Sequence, residues 1–130
     1  MIVLDASAAI DWLIQSPAGH LIGQRIRART ETIHAPHLFD IEVLQVLGRL
    51  ARRGVISDQR ADIAVQDLLN LRIVRYPLFI LLQRVWQLRQ NLTAYDAAYV
   101  ALAERLRAPL LTRDAGIARA SGHSARVELF

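Results

Sequence analysis

The sequence predicts a three-layer α/β/α sandwich with a mostly parallel sheet, formed by a single domain over residues 1–130. Short apolar runs alternate with helical stretches of about ten residues or more, and this alternation requires crossover connections between parallel strands. The run Ile2–Leu4 is apolar on both faces, which is typical of a strand in the middle of such a sheet. A chain of 130 residues with 53% hydrophobic residues is long enough to enclose one core.

Local signals place the elements in order along the chain. Ser7 is expected to cap the first helix, and Ser16 followed by Pro17 predicts an N-cap with proline at the first helical position. Gly54 is expected to end the longest helix, which begins at Leu38. Helices are therefore predicted at residues 8–14, 17–29, 38–53, 57–69, 78–90, 93–107 and 114–120. Further strands are predicted at residues 32–35, 73–74 within the segment 71–76, 109–112 and 127–130.

Composition excludes several classes of chemistry. The chain has no cysteine, which rules out disulfides and thiolate metal sites. Its formal charge is +4, and all 16 basic residues are arginine; the missing lysine excludes a phosphate-loop lysine and Schiff-base chemistry. Arginine suits phosphate contacts, so RNA is a compatible partner, although genomic base composition explains the same count.

No segment has the character of a secretory signal or a membrane span. Asp5 interrupts the apolar N-terminus too early for a signal peptide. No apolar run approaches the ~18 residues that a spanning helix needs. We therefore expect a soluble, cytoplasmic protein with no membrane partner.

Four carboxylates stand where strands end or helices begin. Each has a structural explanation: Asp5 as a turn residue, Glu42 as an acid near a helix start, and Asp114 as a helix cap. Asp96 follows Thr93 by three residues, the spacing of a capping box. In a parallel sandwich, however, strand ends and the first turns of the following helices lie at the same edge. The four carboxylates are therefore expected to converge.

A cluster of four carboxylates requires a cation or shared protons. Two like charges ~4 Å apart repel by roughly 4 kcal/mol even at an effective dielectric constant of 20. Oxygen ligands around a half-open site favour a hard ion, Mg²⁺ or Mn²⁺. Asp11 and Asp40 are expected to be solvated, because their helical phase points them away from Ser7 and Glu42. The histidines lack the spacing of a helical zinc site and are expected to be surface or hydrogen-bonded residues: His20, His34, His37 and His123.

Four segments carry a resemblance to a known family. In order and spacing, the chain looks like the PIN-domain ribonucleases, and more narrowly like the VapC toxins of bacterial type II toxin–antitoxin modules. The matching segments are Met1–Ser7, Pro36 with Glu42-Val43, Leu92–Ala103 and Leu110–Asp114. The Tyr-Asp-Ala-Ala-Tyr stretch inside the third segment is the most specific of these matches.

The resemblance implies a function for the predicted cluster. Asp5, Glu42, Asp96 and Asp114 would be the catalytic residues and the ligands of Mg²⁺ or Mn²⁺. The hydroxyls of Thr112 and Ser7 would hold these acids in position without binding the metal themselves. The family's reaction is hydrolysis of an RNA phosphodiester by an activated water, which leaves a 5′-phosphate.

Two positions depart from the family pattern. Gln45 stands where relatives often have asparagine, which weakens the expected support around Glu42. Residues 115–117 offer no further acid, so a second metal ion is not expected.

The resemblance also implies partners: a cognate VapB-type antitoxin, a homodimer and a larger toxin–antitoxin hetero-oligomer. An alternative from another class stays open, namely a catalytically silent PIN-like module that binds RNA or protein through its arginine-rich surface. Mg²⁺- or Mn²⁺-dependent RNA cleavage separates the two hypotheses. A phosphate-accepting receiver domain is disfavoured, because receivers use a lysine that this chain lacks.

Overall fold

The computed structural model describes all 130 residues and contains five strands and seven α-helices. The strands are β1 Ile2–Leu4, β2 Ile33–Pro36, β3 Ile73–Tyr76, β4 Leu110–Thr112 and β5 Val127–Leu129. The helices are α1 Ala6–Leu13, α2 Pro17–Ala28, α3 Leu38–Arg52, α4 Asp58–Asn70, α5 Leu82–Gln87, α6 Ala94–Leu106 and α7 Ala115–Arg119. None of the helices is both long and apolar enough to cross a bilayer.

The five strands form one sheet in the order β3-β2-β1-β4-β5, and every neighbouring pair is parallel. β1 is therefore the central strand, and its residues Ile2, Val3 and Leu4 are all 0% exposed. The chain leaves β1 toward β2 and later returns to its other side with β4. The carboxyl ends of β1 and β4 therefore flank a switch point, where open α/β sheets place their ligands.

Helices cover both faces of the sheet. On one face α6 packs on β1, β2 and β4, with α5 against it. On the other face α1 contacts α2, α3 and α4. Right-handed crossovers produce this division, because the chain moves across the sheet in opposite directions before and after β3. The predicted three-layer α/β/α sandwich is confirmed, with a sheet that is wholly parallel.

Several predicted helix ends are confirmed by their hydrogen bonds. The Oγ atoms of Ser16 and Ser57 accept the N–H groups of Gly19 and Arg60, both at 3.0 Å. Gly54 follows the end of α3 with φ +69°, a left-handed conformation that suits glycine.

The start of α1 differs from the prediction. The helix begins at Ala6, so Ser7 lies inside its first turn and does not cap it. Asp5 occupies the cap position, but it makes no capping hydrogen bond because its carboxylate is engaged elsewhere. Ser7 Oγ instead donates to Asp5 Oδ2 at 2.5 Å and accepts the N–H of Arg113 at 3.0 Å. The contact with Arg113 could not be predicted from the local sequence, because Arg113 lies 106 residues away in the chain.

The predicted helix at residues 78–90 is also shorter than expected. The chain first makes a 3₁₀ turn over Leu78–Leu81 and then the short helix α5. This tighter turn brings Leu81 into the core, where it is 2% exposed. Leu88 ends α5, and its N–H is shared between the carbonyls of Arg84 and Val85, as is common at helix termini.

Candidate functional site

A cavity of about 740 Å³ opens at the carboxyl edge of the sheet. Its lining includes all four of the carboxylates that the sequence singled out: Asp5, Glu42, Asp96 and Asp114. A fifth acid, Asp11, also lines it. The basic residues of the lining are Arg49 and Arg113, and apolar side chains such as Ile10, Ile41 and Val46 form part of its wall.

The topology explains why residues so distant in sequence meet. Asp5 directly follows β1, and Asp114 comes two residues after the end of β4, the neighbouring strand. Asp96 lies in the first turn of α6 and Glu42 one turn into α3, and both helices begin at the same edge. The parallel sheet therefore brings the four carboxylates into one cavity.

Asp5 is the most buried of these acids, at 5% exposure. Its Oδ2 accepts hydrogen bonds from Thr112 Oγ1 at 2.6 Å and from Ser7 Oγ at 2.5 Å. Each hydroxyl has one proton, and both protons are donated to Asp5. The Ser7 and Thr112 oxygens, 3.3 Å apart, are therefore in contact without a hydrogen bond between them. Burial raises the pKa of Asp5, while these hydrogen bonds oppose that rise.

Thr112 connects two of the acids. It is 0% exposed, and while its hydroxyl donates to Asp5 it accepts the backbone N–H of Asp114 at 3.0 Å. Asp114 Oδ1 in turn caps α7 by accepting the N–H of Gly116 at 2.6 Å. The predicted cap at Asp114 is thus present, and its other carboxylate oxygen, Oδ2, accepts no hydrogen bond from the chain.

Glu42 is held by a residue that the sequence analysis did not single out. Tyr99 is 1% exposed, and its hydroxyl donates to Glu42 Oε2 at 2.5 Å. Burial raises the pKa of Glu42, and the charges of Asp5 and Asp96 add to the rise, whereas the Tyr99 hydrogen bond opposes it. The signal in the sequence was the spacing: Tyr99 lies three residues after Asp96, on the same face of α6.

Asp96 has the double character that its sequence context suggested. Its N–H donates to Thr93 Oγ1 at 3.2 Å, which is one half of a capping box. The other half is absent, because no hydrogen bond runs from the N–H of Thr93 to the Asp96 carboxylate. Burial raises the pKa of Asp96, and the nearby charges of Asp114 and Asp5 raise it further.

The donor set suits a hard cation held partly through water. All of the converging groups are oxygen ligands, the type that Mg²⁺ and Mn²⁺ prefer. No three of the acidic side chains approach one another closely enough to form a cage of direct ligands. A Mg²⁺ ion here would therefore be bound directly by one or two carboxylates and would keep several of its waters.

Asp11 and Asp40 are not simply solvated, so that prediction was wrong. Asp11 accepts a hydrogen bond from Ser16 Oγ at 2.6 Å and forms an ion pair with Arg113 Nε at 2.8 Å. Asp40 forms a two-point ion pair with Arg75. Helical phase could not indicate either contact, because both partners come from distant parts of the chain.

None of the histidines lines the cavity. His34 is buried in β2, where it is hydrogen-bonded to Thr32 Oγ1 at 2.9 Å and to the Tyr76 hydroxyl at 2.8 Å. Gln45, the departure from the family pattern, lines the cavity between Glu42 and Arg49 on α3.

The fold and this acidic edge define a class of protein, and comparison with known proteins agrees. The family model described as "PIN domain" matches residues 2–122. Ribonuclease VapC12 of Mycobacterium tuberculosis (strain ATCC 25618 / H37Rv) is 45% identical over 129 residues, which cover 99% of this chain and 98% of that protein. The chain therefore belongs to the PIN-domain family and groups within it with the VapC proteins.

Two solved structures share the fold. The crystal structure of PAE2754 from Pyrobaculum aerophilum superposes with a TM-score of 0.68 at 25% identity, over 97% of this chain and 82% of that one. VapBC2 from Rickettsia felis, bound to a DNA fragment from its promoter, superposes with a TM-score of 0.66 at 14% identity. That match covers 99% of this chain and 98% of the other.

Proposed function

We propose that this chain is a VapC-type toxin, a metal-dependent endoribonuclease that hydrolyses RNA phosphodiesters and is inhibited by a cognate antitoxin. The observation that carries the proposal is the meeting of Asp5, Glu42, Asp96 and Asp114 in one cavity. The name of the 45% identical relative, a ribonuclease, supports the same reaction. In this proposal residues 1–130 form one PIN domain.

The proposed roles follow from the contacts of each acid. A bound Mg²⁺ or Mn²⁺ would supply acidification of water and neutralisation of phosphoryl charge. One or two of Asp5, Glu42, Asp96 and Asp114 would bind that ion directly, and the others would bind it through its water molecules. Glu42 Oε1 and Asp114 Oδ2 are free of hydrogen bonds from the chain.

Three hydroxyl groups orient these acids from behind. Thr112 and Ser7 donate to Asp5, and Tyr99 donates to Glu42. Because each hydroxyl favours the ionised carboxylate, the three hydrogen bonds oppose the rise that burial causes in the pKa of Asp5 and Glu42. They would therefore favour the state of the ligands that binds the cation.

Partners are proposed from the relatives. A solved structure that shares the fold is a toxin–antitoxin complex from Klebsiella pneumoniae, and we propose that a VapB-type antitoxin covers the acidic cavity here. A homodimer and a larger hetero-oligomer with the antitoxin complete the proposed assembly. RNA is the proposed substrate, and the protein is proposed to act in the cytoplasm.

Cleavage of RNA by the purified protein tests the proposed function. Mg²⁺ or Mn²⁺ should support cleavage, EDTA should stop it, and Glu42→Gln should abolish it. The matched control is Asp40→Asn, because Asp40 lies on the same helix, half a turn away, and is paired with Arg75 outside the cavity. Cleavage that survives EDTA, or that both variants lose equally, would reject the proposal. A folded protein with no cleavage would favour the silent binding module.

A further inference from the structure

The lining of the cavity contains more acidic than basic side chains. Five carboxylates line it, against the two guanidinium groups of Arg49 and Arg113. One divalent cation would neutralise only part of the charge of these acids, so the cavity would still repel the flanking phosphates of an RNA strand. The two arginines are the side chains of the lining that can attract those phosphates.

The arginines lie on opposite sides of the central strand. Arg49 belongs to α3, which follows β2, whereas Arg113 directly follows β4. In the sheet β2 and β4 are the two neighbours of β1, so the elements that carry Arg49 and Arg113 lie on opposite sides of the strand that ends at Asp5, and both arginines line the cavity. A strand that passes over Asp5 along this edge would meet one guanidinium before it and the other after it.

Arg49 has no structural task within the chain. It is exposed, its side chain forms no hydrogen bond and no ion pair, and it lies seven residues after Glu42 on the polar stripe of α3. Seven residues are about two helical turns, so Arg49 and Glu42 lie on the same face of α3 at about 10 Å separation along its axis. Its guanidinium is free to bind an anion at the cavity wall.

Arg113 is held in place by three contacts. Its Nε donates to Asp11 Oδ2 at 2.8 Å, its Nη1 donates to the carbonyl of Phe130, and its backbone N–H donates to Ser7 Oγ. The remaining nitrogen, Nη2, makes no hydrogen bond within the chain. The Arg113 side chain is 41% exposed and lines the cavity. Arg113 is thus oriented by Asp11 and keeps donors for a ligand.

We infer that Arg49 and Arg113 bind the two phosphates on either side of the scissile phosphate. The inference rests on the proposed function and deepens it. The RNA strand would cross the carboxyl edge of the sheet from α3 to the β4–α7 junction, with its scissile phosphate above Asp5. Asp11 is then a positioning residue, because it acts only through Arg113.

Selective neutralisation of single phosphates tests the inference. The probes are a short oligoribonucleotide with one cleavage site and two versions in which one flanking linkage is an uncharged methylphosphonate. All three oligomers carry 2′-deoxy sugars on the 5′ side of both flanking linkages, so that no neighbouring 2′-hydroxyl can attack these linkages. Each neutral linkage should raise the wild-type KM about tenfold, the effect of losing one charge-assisted contact, with a smaller change in kcat.

Arg49→Ala should raise KM for the natural oligomer by a similar factor. With the Arg49→Ala protein, neutralising the phosphate that Arg49 binds should raise KM no further, because that contact is already lost. Neutralising the other flanking phosphate should still raise KM, as in a double-mutant cycle. Arg113→Gln should give the complementary pattern, and Asp11→Asn should give the same pattern more weakly. Arg52→Ala is the matched control, since Arg52 is an exposed arginine on α3 that does not line the cavity.

Binding in salt provides a second readout that needs no catalysis. The Asp5→Asn substitution is used to prevent cleavage, and fluorescence anisotropy measures binding of a fluorescein-labelled oligomer of the same sequence. The logarithm of the binding constant is then plotted against the logarithm of the salt concentration. Arg49→Ala should lower the slope by about 0.7, as expected for one phosphate contact on a single strand, and Arg52→Ala should leave it unchanged.

The inference would be overturned if each arginine variant raised KM by the same factor on all three oligomers. Equal salt slopes for the Arg49 and Arg52 variants would also overturn it. Unchanged RNA binding together with weaker antitoxin binding would also overturn it, by assigning the arginines to the protein partner. Failure of the proposed function is distinct, because it would appear as RNA binding with the expected slopes but no cleavage by the wild-type protein.

Discussion

The hydroxyl of Tyr99 donates a hydrogen bond to Glu42 Oε2 at 2.5 Å and thereby joins α6 to α3, 57 residues apart in the chain. Both elements begin at the carboxyl edge of the sheet, and each also contributes an acid to the cavity. The bond opposes the rise that burial causes in the pKa of Glu42. It also leaves Glu42 Oε1 free.

Tyr99→Phe should shift the pH dependence of cleavage. Removal of the hydroxyl takes away the hydrogen bond that lowers the pKa of Glu42, so this pKa rises and the acidic limb of the pH–rate profile moves to higher pH. The free energy of unfolding should fall by about 1 kcal/mol for the lost hydrogen bond. Tyr95→Phe is the control, because the Tyr95 hydroxyl on the same helix makes no hydrogen bond. An unmoved acidic limb would show that Glu42 does not need this donor.

Asp96→Asn should abolish cleavage while the metal-free protein keeps or gains stability. The folded-state pKa of Asp96 is raised, so its ionised form is disfavoured by the fold, and asparagine removes that cost. The wild type loses stability relative to the variant as pH rises from the unfolded pKa through the folded one. The melting temperatures should therefore be closest in acid and farthest apart at neutral pH.

Added Mg²⁺ should raise the melting temperature of the Asp96→Asn protein less than that of the wild type, because a hard cation prefers charged oxygen ligands. Thermal unfolding with and without Mg²⁺ measures both effects. A variant that melts much earlier and still cleaves RNA would show that Asp96 acts only at the start of α6.

Thr112→Val should lower the free energy of unfolding by about 1–3 kcal/mol and reduce cleavage. The isosteric change leaves the buried Asp5 carboxylate without one donor and the N–H of Asp114 without its acceptor. Ser7→Ala should cost less, because the N–H of Arg113 that loses its acceptor is exposed and can bind water. Denaturant unfolding of the two variants checks the order, and a larger loss for Ser7→Ala would contradict it.

Two glycines of the α3 region should respond to alanine in opposite directions. Gly54 has φ +69°, so Gly54→Ala should destabilise the fold by about 1 kcal/mol even though the site is open. Gly48 lies inside α3, and a Cβ there meets only the flexible end of Arg52 at 3.2 Å. Gly48→Ala should therefore stabilise by about 0.5–1 kcal/mol. Melting temperatures that move in the same direction would refute this pair.

Local chemistry alone determined much of this protein. The apolar run Ile2–Leu4 identified the central strand, and the caps at Ser16, Ser57 and Thr93 identified helix starts. These features depend on residues within one helical turn or one strand, where steric and hydrogen-bonding preferences act without the rest of the chain. The same reasoning, with the rule that parallel strands end at one edge, placed the four acids together.

Only the tertiary structure decided how the acids are held. Ser7 was predicted both to cap α1 and to support the acids. It does not cap the helix but donates to Asp5, and it also accepts the N–H of Arg113, a contact that the sequence did not predict. Asp11 was predicted to be solvated, yet it forms an ion pair with Arg113, 102 residues away in the chain. Such contacts depend on how far each helix rotates and slides as it packs on the sheet, and shifts of an ångström decide whether a hydrogen bond forms. Periodicity places a residue on a face, but packing selects its partner.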